Sequence, residues 1–158
     1  MTGTDGTDGT RAGDPVRRIT HTLTLARDPD QVWAALTDVD RMPGLHPNML
    51  SARWVDGAHE AELGARFVSD HAHAEHGVWH AVSRIVALER EKTIAWTVDS
   101  DLAPPTVCRF DLCPDLIDDR GATPRTVLRQ TWFHETRPGF SAPIAEAVAD
   151  QHGCQRTT

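Results

Sequence analysis

The sequence predicts an α+β domain in which a curved, seven-stranded antiparallel sheet packs against a C-terminal helix. Apolar and polar residues alternate with a period of two along much of the chain, and this period is typical of strands. Helical spacing is confined to two short segments after the first strand and to one segment near the C-terminus. Glycines, prolines and charged runs separate the strands by turns, which favours antiparallel neighbours.

The longest alternating stretch is 77–100, where a run of four charged residues joins two predicted strands. At about 3.3 Å per residue the first of these strands is about 30 Å long, and so long a strand in a small domain usually curves. Trp79, Ala81 and Ser83 share one face of it, and Trp96 lies on the strand that follows. Small side chains beside two large rings leave room on an inner face, so the pattern indicates a sheet wrapped around a cavity.

The N-terminal residues 1–15 are of low complexity and contain little to bury, so they are predicted to form a disordered extension. Alternation then predicts a first strand that begins at Val16. Asp28 is a suitable N-cap and Pro29 a suitable first helical residue, so a helix is predicted to begin there. Two further prolines limit the next segment, 40–49, to a second short helix or turn.

The remaining elements follow in order along the chain. Further strands are predicted at 51–56, 65–73, 106–112 and 126–135, in addition to the two strands within 77–100. The polar segment 114–124 is predicted to be a loop, and a helix-forming composition predicts a C-terminal helix over 141–151. A single domain, 16–152, therefore precedes a short tail at 153–158.

Composition excludes several classes of protein. The chain has 158 residues, enough for one hydrophobic core, and its formal net charge of -7 argues against a nucleic-acid partner. No apolar run approaches the length of a membrane span, and the N-terminus lacks the apolar core of a secretory signal. Three cysteines outside CxxC spacing suggest reduced thiols in a cytoplasmic protein, which we expect to be a monomer or a homodimer.

Four segments carry a family resemblance: DPDQVWAALTDVDRMPGLHP (28–47), GARF (64–67), GVWHAVSRIVALEREKTIAW (77–96) and TVLRQTWFHETRPG (126–139). In this order and spacing they resemble the START-like, or SRPBCC, superfamily, and in particular its polyketide cyclase/dehydrase-type bacterial branch. The resemblance implies the helix-grip fold, with a deep, mostly apolar cavity between the sheet and the C-terminal helix. Members bind lipids, hormones or polyketides, and some catalyse cyclisation, aromatisation or dehydration without a cofactor. No catalytic triad is shared across the family, so the fold alone implies no single activity.

A ligand cavity is mostly apolar and carries a few well-placed polar groups. On the elements that look into the cavity in the relatives, eight residues are the candidates for ligand binding: Met42, Phe67, Ser69, Trp96, Val98, Phe110, Gln130 and Trp132. We expect the strand 126–135 to lie directly beneath the C-terminal helix, with Leu128, Gln130, Trp132 and His134 facing that helix. Arg109 and Arg129 fall on the opposite strand faces and are expected to face solvent.

Three histidines are the candidate catalytic residues. His71 and His134 lie on inward strand faces, and His46 lies where the second short helix would cover one mouth of the cavity. Imidazole titrates near pH ~6.5, so it can accept and return a proton at neutral pH. The absence of tyrosine excludes a phenol as the acid.

The neighbours of His71 leave three interpretations open. His71, His73, His76 and His80 fall within ten positions, and they are candidates for acid/base chemistry. His71 and His73 point the same way on a strand, so they are also candidate metal ligands. The third interpretation is a polar strand end that is rich in histidine. The relatives need no cofactor, and we expect neither a metal nor a cofactor in this protein.

These observations predict a protein that binds an apolar, polyketide-derived small molecule and promotes its cyclisation, dehydration or isomerisation by histidine acid/base catalysis. The alternative is a binding protein without catalysis, either a carrier or a self-resistance protein that sequesters a metabolite. Two polar side chains within hydrogen-bond distance of each other in the cavity would favour the enzyme. A regulatory protein is a third possibility, and a large exposed apolar patch outside the cavity would favour it.

Overall fold

The computed structural model describes residues 3–5, 16–102, 104–114, 125–135 and 141–149. Its strands are β1 (Gly3–Asp5), β2 (Val16–Leu25), β3 (Met49–Val55), β4 (Arg66–His73), β5 (Gly77–Glu89), β6 (Thr93–Ser100), β7 (Thr106–Pro114) and β8 (Thr126–Glu135). Its helices are α1 (Pro29–Thr37), α2 (Met42–Leu45) and α3 (Ser141–Ala149), with one 3-10 turn at Val39–Arg41. The predicted tail and most of the predicted N-terminal extension and of the loop at 114–124 lie outside the described residues.

The strands form one antiparallel sheet in the order β1-β2-β8-β7-β6-β5-β4-β3. This order confirms the predicted α+β layout, with two short helices after the first long strand, a curved sheet and a short C-terminal helix. The seven predicted strands are β2 to β8. The structure adds β1, which pairs with β2 and comes from the segment predicted to be disordered. Bulges after Met49 in β3 and after Ile85 in β5 shift the register and increase the local twist.

Helix α1 begins where the sequence predicts. The Asp28 backbone N–H donates a hydrogen bond to Gln31 Oε1 at 3.3 Å, and Pro29 occupies a first-turn position that needs no N–H partner. Val32 and Leu36 form the buried side of the helix. None of the described helices is long and apolar enough to cross a membrane.

Both faces of the sheet are partly covered by helices, and a different set covers each. The face that packs against α1 and α2 is called the α1 face here, and it carries the larger apolar cluster. The buried members of that cluster are Val32, Leu36, Val39, Met42, Phe67, Ile85, Ile94, Trp96, Cys108, Phe110 and Leu112. The opposite face is called the α3 face, and its buried cluster is Val16, Ala95, Val107, Phe133 and Ala147.

The prediction of which face of β8 meets the C-terminal helix is wrong. The residues expected beneath that helix, Leu128 and Trp132 among them, lie on the α1 face, where they pack against the larger cluster. Helix α3 instead covers Phe133, which is fully buried beside Ala147 of α3. Strand alternation establishes which residues share a face, but it does not determine which of two apolar faces a short amphipathic helix will cover.

The expectation that Arg109 faces solvent is also wrong. Its side chain lies on the α3 face, where only 7% of it is exposed, and its Nη2 atom is 2.9 Å from Asp111 Oδ1. Arg109 Nη1 also donates to the carbonyl of Ala147 in α3. The neighbouring prediction for Arg129 fails in part, because its side chain is half-buried.

The cysteines depart from expectation at one position. Cys108 is a free thiol on the α1 face, and complete burial raises its pKa to about 12. A thiol with so high a pKa is unreactive at neutral pH, in agreement with the structural role expected for it. Cys113, however, takes part in a disulfide bond, so the expectation of reduced thiols is wrong for this residue.

Replacing Asp111 by alanine should destabilise the protein by about 3–5 kcal/mol, because the substitution leaves the buried guanidinium of Arg109 without its counter-charge. Urea unfolding followed by Trp fluorescence measures this loss. Asp99→Ala is the matched control, since Asp99 is exposed on the neighbouring strand β6. A loss below about 1 kcal/mol in Asp111→Ala would show that the ion pair does not hold α3 on this face.

Candidate functional site

The α1 face provides an apolar floor across the centre of the sheet. Trp96 contacts Phe67 edge to face, with ring centroids 5.7 Å apart, and contacts Phe110 at 5.3 Å. This floor shares Phe67 with a row of cross-strand neighbours that takes one residue from each of six strands. The row is His134, Thr106, Val98, Ser83, Phe67 and Trp54. The row is aromatic at the end formed by Phe67 and Trp54 and polar at the end formed by His134 and Thr106, and apolar surface with a few polar groups suits an apolar ligand with a few polar atoms.

All eight candidate ligand-binding residues belong to this face or to the helices that cover it. The buried ones are Met42, Phe67, Ser69, Trp96 and Phe110. Val98, Gln130 and Trp132 are half-buried at its margin. The Gln130 amide nitrogen lies 3.5 Å from Cys108 Sγ, a weak contact that leaves the amide oxygen for another partner.

His71 is held by two neighbours on the α1 face. Its Nε2 atom is 2.8 Å from the hydroxyl of Ser69, which is only 4% exposed. Its ring stacks on Trp79, with centroids 4.0 Å apart and ring planes inclined by 9°. A hydrogen bond and a stacked ring together fix the imidazole, so its other nitrogen, Nδ1, has a defined direction.

Met49 connects His46 and His71, because it is hydrogen-bonded to His46 and is the cross-strand partner of His71. His46 caps the C-terminal end of α2, and its carbonyl accepts a hydrogen bond from the Met49 N–H at 3.1 Å. Met49 lies directly opposite His71 in the β3–β4 pair.

Burial lowers the pKa of His71, and the charge of His46 lowers it further, although Asp70 acts in the opposite direction. Burial also lowers the pKa of His46. Both imidazoles are therefore mainly neutral at pH ~7.

His134 lies on the far side of the face. It is the cross-strand partner of Arg17, and its ring centroid is 6.5 Å from that of Trp132. Burial lowers the pKa of His134, with a further contribution from Arg17. Strands β5, β6 and β7 separate it from His71, a path of about 19 Å along the sheet at ~4.8 Å per strand. The structure thus brings His46 and His71 together and places His134 apart from them.

The histidine cluster of the sequence divides between three environments. His80 points to the α3 face, where its Nδ1 bonds to Asp70, which also accepts from Ser51 Oγ at 3.0 Å. His73 and His76 stack in the exposed β4–β5 turn, with centroids 4.9 Å apart. Neither turn residue shares a described contact with His71.

The same turn contains the one group of potential metal ligands found among the described residues. One ligand atom from each of His73, Glu75 and His76 lies within 4.8 Å of the other two. All three side chains are exposed, and the His73 Nδ1 already accepts a hydrogen bond from the Glu75 N–H at 3.1 Å. This geometry does not favour the metal site in which His71 and His73 would bind one ion, because His73 lies with Glu75 and His76 instead. The expectation that the protein binds no metal stays a prediction.

Two residues that contact the candidate histidines were not predicted as site residues. Trp79 stacks on His71, and Met49 links His71 to His46. Both are cross-strand partners of His71, Trp79 on β5 and Met49 on β3. Pairing β4 with β5 would have found Trp79 from sequence, whereas Met49 depends on a bulge that alternation does not reveal.

The model of the family described as "Polyketide cyclase / dehydrase and lipid transport" matches residues 16–150. No curated protein matches this chain. Among solved structures, the Zhui aromatase/cyclase from Streptomyces sp. R1128 is similar, with 20% identity, a TM-score of 0.61, and coverage of 78% of this chain and 70% of that chain.

Two other solved structures show the same fold. CalU16 from Micromonospora echinospora is 14% identical with a TM-score of 0.59, over 87% of this chain and 73% of that chain. A START superfamily protein from Mycobacterium smegmatis is 12% identical with a TM-score of 0.58, over 81% of this chain and 86% of that chain. At these identities the likeness establishes the fold and leaves the activity to the residues of the site.

The lowered pKa of His71 predicts a pH dependence of stability. The unfolded chain binds a proton at the ordinary histidine pKa of ~6.5, whereas the folded chain binds it only at lower pH. Stability from this group is therefore present above that value and is lost as the pH falls through the folded pKa. His71→Gln should lose less of its free energy of unfolding than the wild type between about pH 7.5 and about pH 5.5.

Urea unfolding at the two pH values measures this difference. His59→Gln provides the control, since His59 is exposed in the segment between β3 and β4. The control should show the pH dependence of the wild type. Equal acid sensitivity of His71→Gln and the wild type would contradict the burial of a neutral His71.

Proposed function

We propose a function on the premise that this chain belongs to the polyketide cyclase/dehydrase and lipid transport family. The protein binds an apolar, polyketide-derived small molecule on the α1 face. It promotes cyclisation, dehydration or isomerisation of that molecule by proton transfer through histidine. The observation that carries the proposal is the fixed imidazole of His71, held by Ser69 and Trp79 beside His46 at the margin of an apolar floor.

The apolar floor supplies orientation. Trp96, Phe110 and Phe67 form a continuous buried aromatic layer, and a flat or folded carbon chain is held at its half-buried margin, against Val98 and Trp132, by dispersion and by exclusion of water. Holding two reacting carbons of one chain in a near-attack arrangement lowers the entropic part of the barrier without any cofactor. Gln130 offers an amide that can orient a carbonyl but cannot transfer a proton.

The histidines supply proton transfer. A neutral imidazole removes a proton from a carbon that lies next to a carbonyl group, which gives an imidazolium and an enolate, and the enolate carbon attacks a second carbonyl of the same chain. One carbon–carbon bond forms, and the proton is delivered to the oxygen of the attacked carbonyl. The histidines end in the protonation state in which they began, so the step needs no oxidant or co-reactant. Dehydration continues with loss of that hydroxyl as water and of a proton from the adjacent carbon.

A binding protein without catalysis is the second candidate. Transport of lipids is part of the description of the family, and most of the α1 face is apolar. His134 lies too far along the sheet from His71 for the two to act on one bond. The contact between Ser69 and His71 favours the enzyme, because it holds two polar side chains within hydrogen-bond distance beside the apolar floor.

His71→Gln should lower the rate of product formation at least about tenfold, equivalent to about 1.4 kcal/mol of barrier, because glutamine cannot take up and return a proton. Poly-β-ketone thioesters of increasing length are the substrates, and mass spectrometry separates cyclised or dehydrated products from the linear chain. The spontaneous rate without protein is subtracted.

His59→Gln is again the control and should retain the wild-type rate. Quenching of Trp fluorescence measures binding separately, and His71→Gln should still bind the chain. If the wild type binds the thioesters and returns them unchanged, the carrier is the correct function. If His71→Gln retains full activity, the proton transfer does not use His71.

A further inference from the structure

Apart from the buried thiol of Cys108, the titratable groups that strands β2 to β8 place on the α1 face are all bases. Along β2 to β8, strand alternation places Arg17, His21, His71, His73 and His134 on this face, and His46 joins them from α2. No position of β2 to β8 on this face is an aspartate or a glutamate. The chain as a whole has 23 acidic residues against 16 lysines and arginines, so this separation by face is opposite to the overall charge.

The nearby acids are held elsewhere. Asp70 points to the α3 face and bonds to His80 and Ser51, and Asp111 on the same face is paired with Arg109. In the α1–α2 segment, Asp38 is 3.2 Å from Arg41.

Asp30 and Asp40 in that segment are exposed. Asp5 of the edge strand is in register with His21, and both lie further along the sheet from His71 than His134 does.

Among the described residues, no acidic side chain contacts the His46–His71 pair directly, and the charge of Asp70 raises the pKa of His71 by less than burial and the charge of His46 lower it. From β5 the pair meets Trp79, from β3 it meets Met49, and α2 carries no charged residue. Within β4 the nearest acid, Asp70, is directed to the other face. Half-buried bases without a counter-charge favour a ligand that brings one.

We propose that the ligand of this site is an acid, an apolar molecule that carries an ionised oxygen and places it between His46 and His71. This inference rests on the proposed binding of an apolar molecule to the α1 face and names the chemical class of that molecule. A carboxylate, an enolate and a phenolate share the required chemistry, which is a negative oxygen that accepts hydrogen bonds. A cationic ligand gains no such stabilisation, because it disfavours the imidazolium form of the same two bases.

Binding of an anionic ligand at this site should also cause the protein to take up a proton. The two imidazoles are mainly neutral before binding, because burial lowers their pKa values. A bound anion favours the imidazolium form, so binding is accompanied by uptake of a proton from solvent. The affinity for an anion should therefore rise as the pH falls from about 8 toward about 6, as long as the ligand remains ionised.

Three probes with one ring system and different charge test the proposal: 2-naphthoate, 2-naphthalenemethanol and 2-naphthalenemethylammonium. Trp fluorescence quenching gives the dissociation constant of each for the full chain at neutral pH. We expect 2-naphthoate to bind at least about tenfold more tightly than the neutral alcohol, and the ammonium compound to bind most weakly. Calorimetry in two buffers with different ionisation enthalpies should show proton uptake with 2-naphthoate only.

Variants test whether His46 and His71 produce the preference for the anionic probe. The double variant His46→Gln with His71→Gln should bind the three probes with similar affinity, whereas His59→Gln should keep the wild-type preference. Equal binding of 2-naphthoate and the alcohol by the wild type overturns the acidic ligand but leaves the proposed apolar site intact. Tighter binding of the ammonium compound also overturns it. Failure of all three probes to bind overturns both this inference and the proposed function.

Discussion

The central strands β6 and β7 are buried on both faces, and this constraint organises the rest of the molecule. On one face Trp96 and Phe110 pack under α1 and α2, and on the other Val107 and Phe133 pack under α3. A strand buried on both sides has no solvated face for charged residues, so its polar groups must be paired. Arg109 and Asp111 satisfy this requirement through a bidentate contact, with Thr93 as an additional donor to Asp111 at 2.8 Å. The α1 face is thereby left apolar at its centre, and a ligand site on it becomes physically possible.

Much of this fold follows from the sequence. A period of two over long segments has few alternatives, so every strand from β2 to β8 was predictable, and Asp28 with Pro29 marked the start of α1. The face covered by α3 was not predictable, because both faces of β8 are apolar enough to accept a helix, and the choice depends on long-range packing of Phe133 and Ala147. The burial of Arg109 was missed for the same reason: a charged residue two positions from an acid is solvated in one arrangement and paired in the other.

Strand register also explains why the site was only partly predictable. His71 and His80 come from neighbouring strands of similar composition, yet they project to opposite faces and meet different partners, Ser69 in one case and Asp70 in the other. Alternation within one strand assigned His71 to the inner face correctly in relation to Phe67 and Ser69. The link from His46 to His71 required the register at the bulge after Met49, because Met49 is both the cross-strand partner of His71 and the hydrogen-bond donor to His46. Local patterns thus predict which face a side chain occupies, whereas the convergence of side chains from distant segments is a tertiary property.

The strength of the base limits the chemistry that this site can perform. A histidine whose pKa is lowered by burial is available in its neutral form at pH ~7, but it is also a weaker base than a free imidazole. A weak base removes only weakly bound protons at a useful rate, so the carbon that it attacks must already be acidic. A carbon between two carbonyl groups meets this condition, whereas a carbon beside a single unactivated carbonyl does not. The same stabilised anion, an enolate, is a negative oxygen of the kind that we propose His46 and His71 to bind. In the proposed function, the electrostatics of ligand binding and the basicity needed for catalysis therefore select one class of molecule, an apolar chain with acidic carbonyl groups.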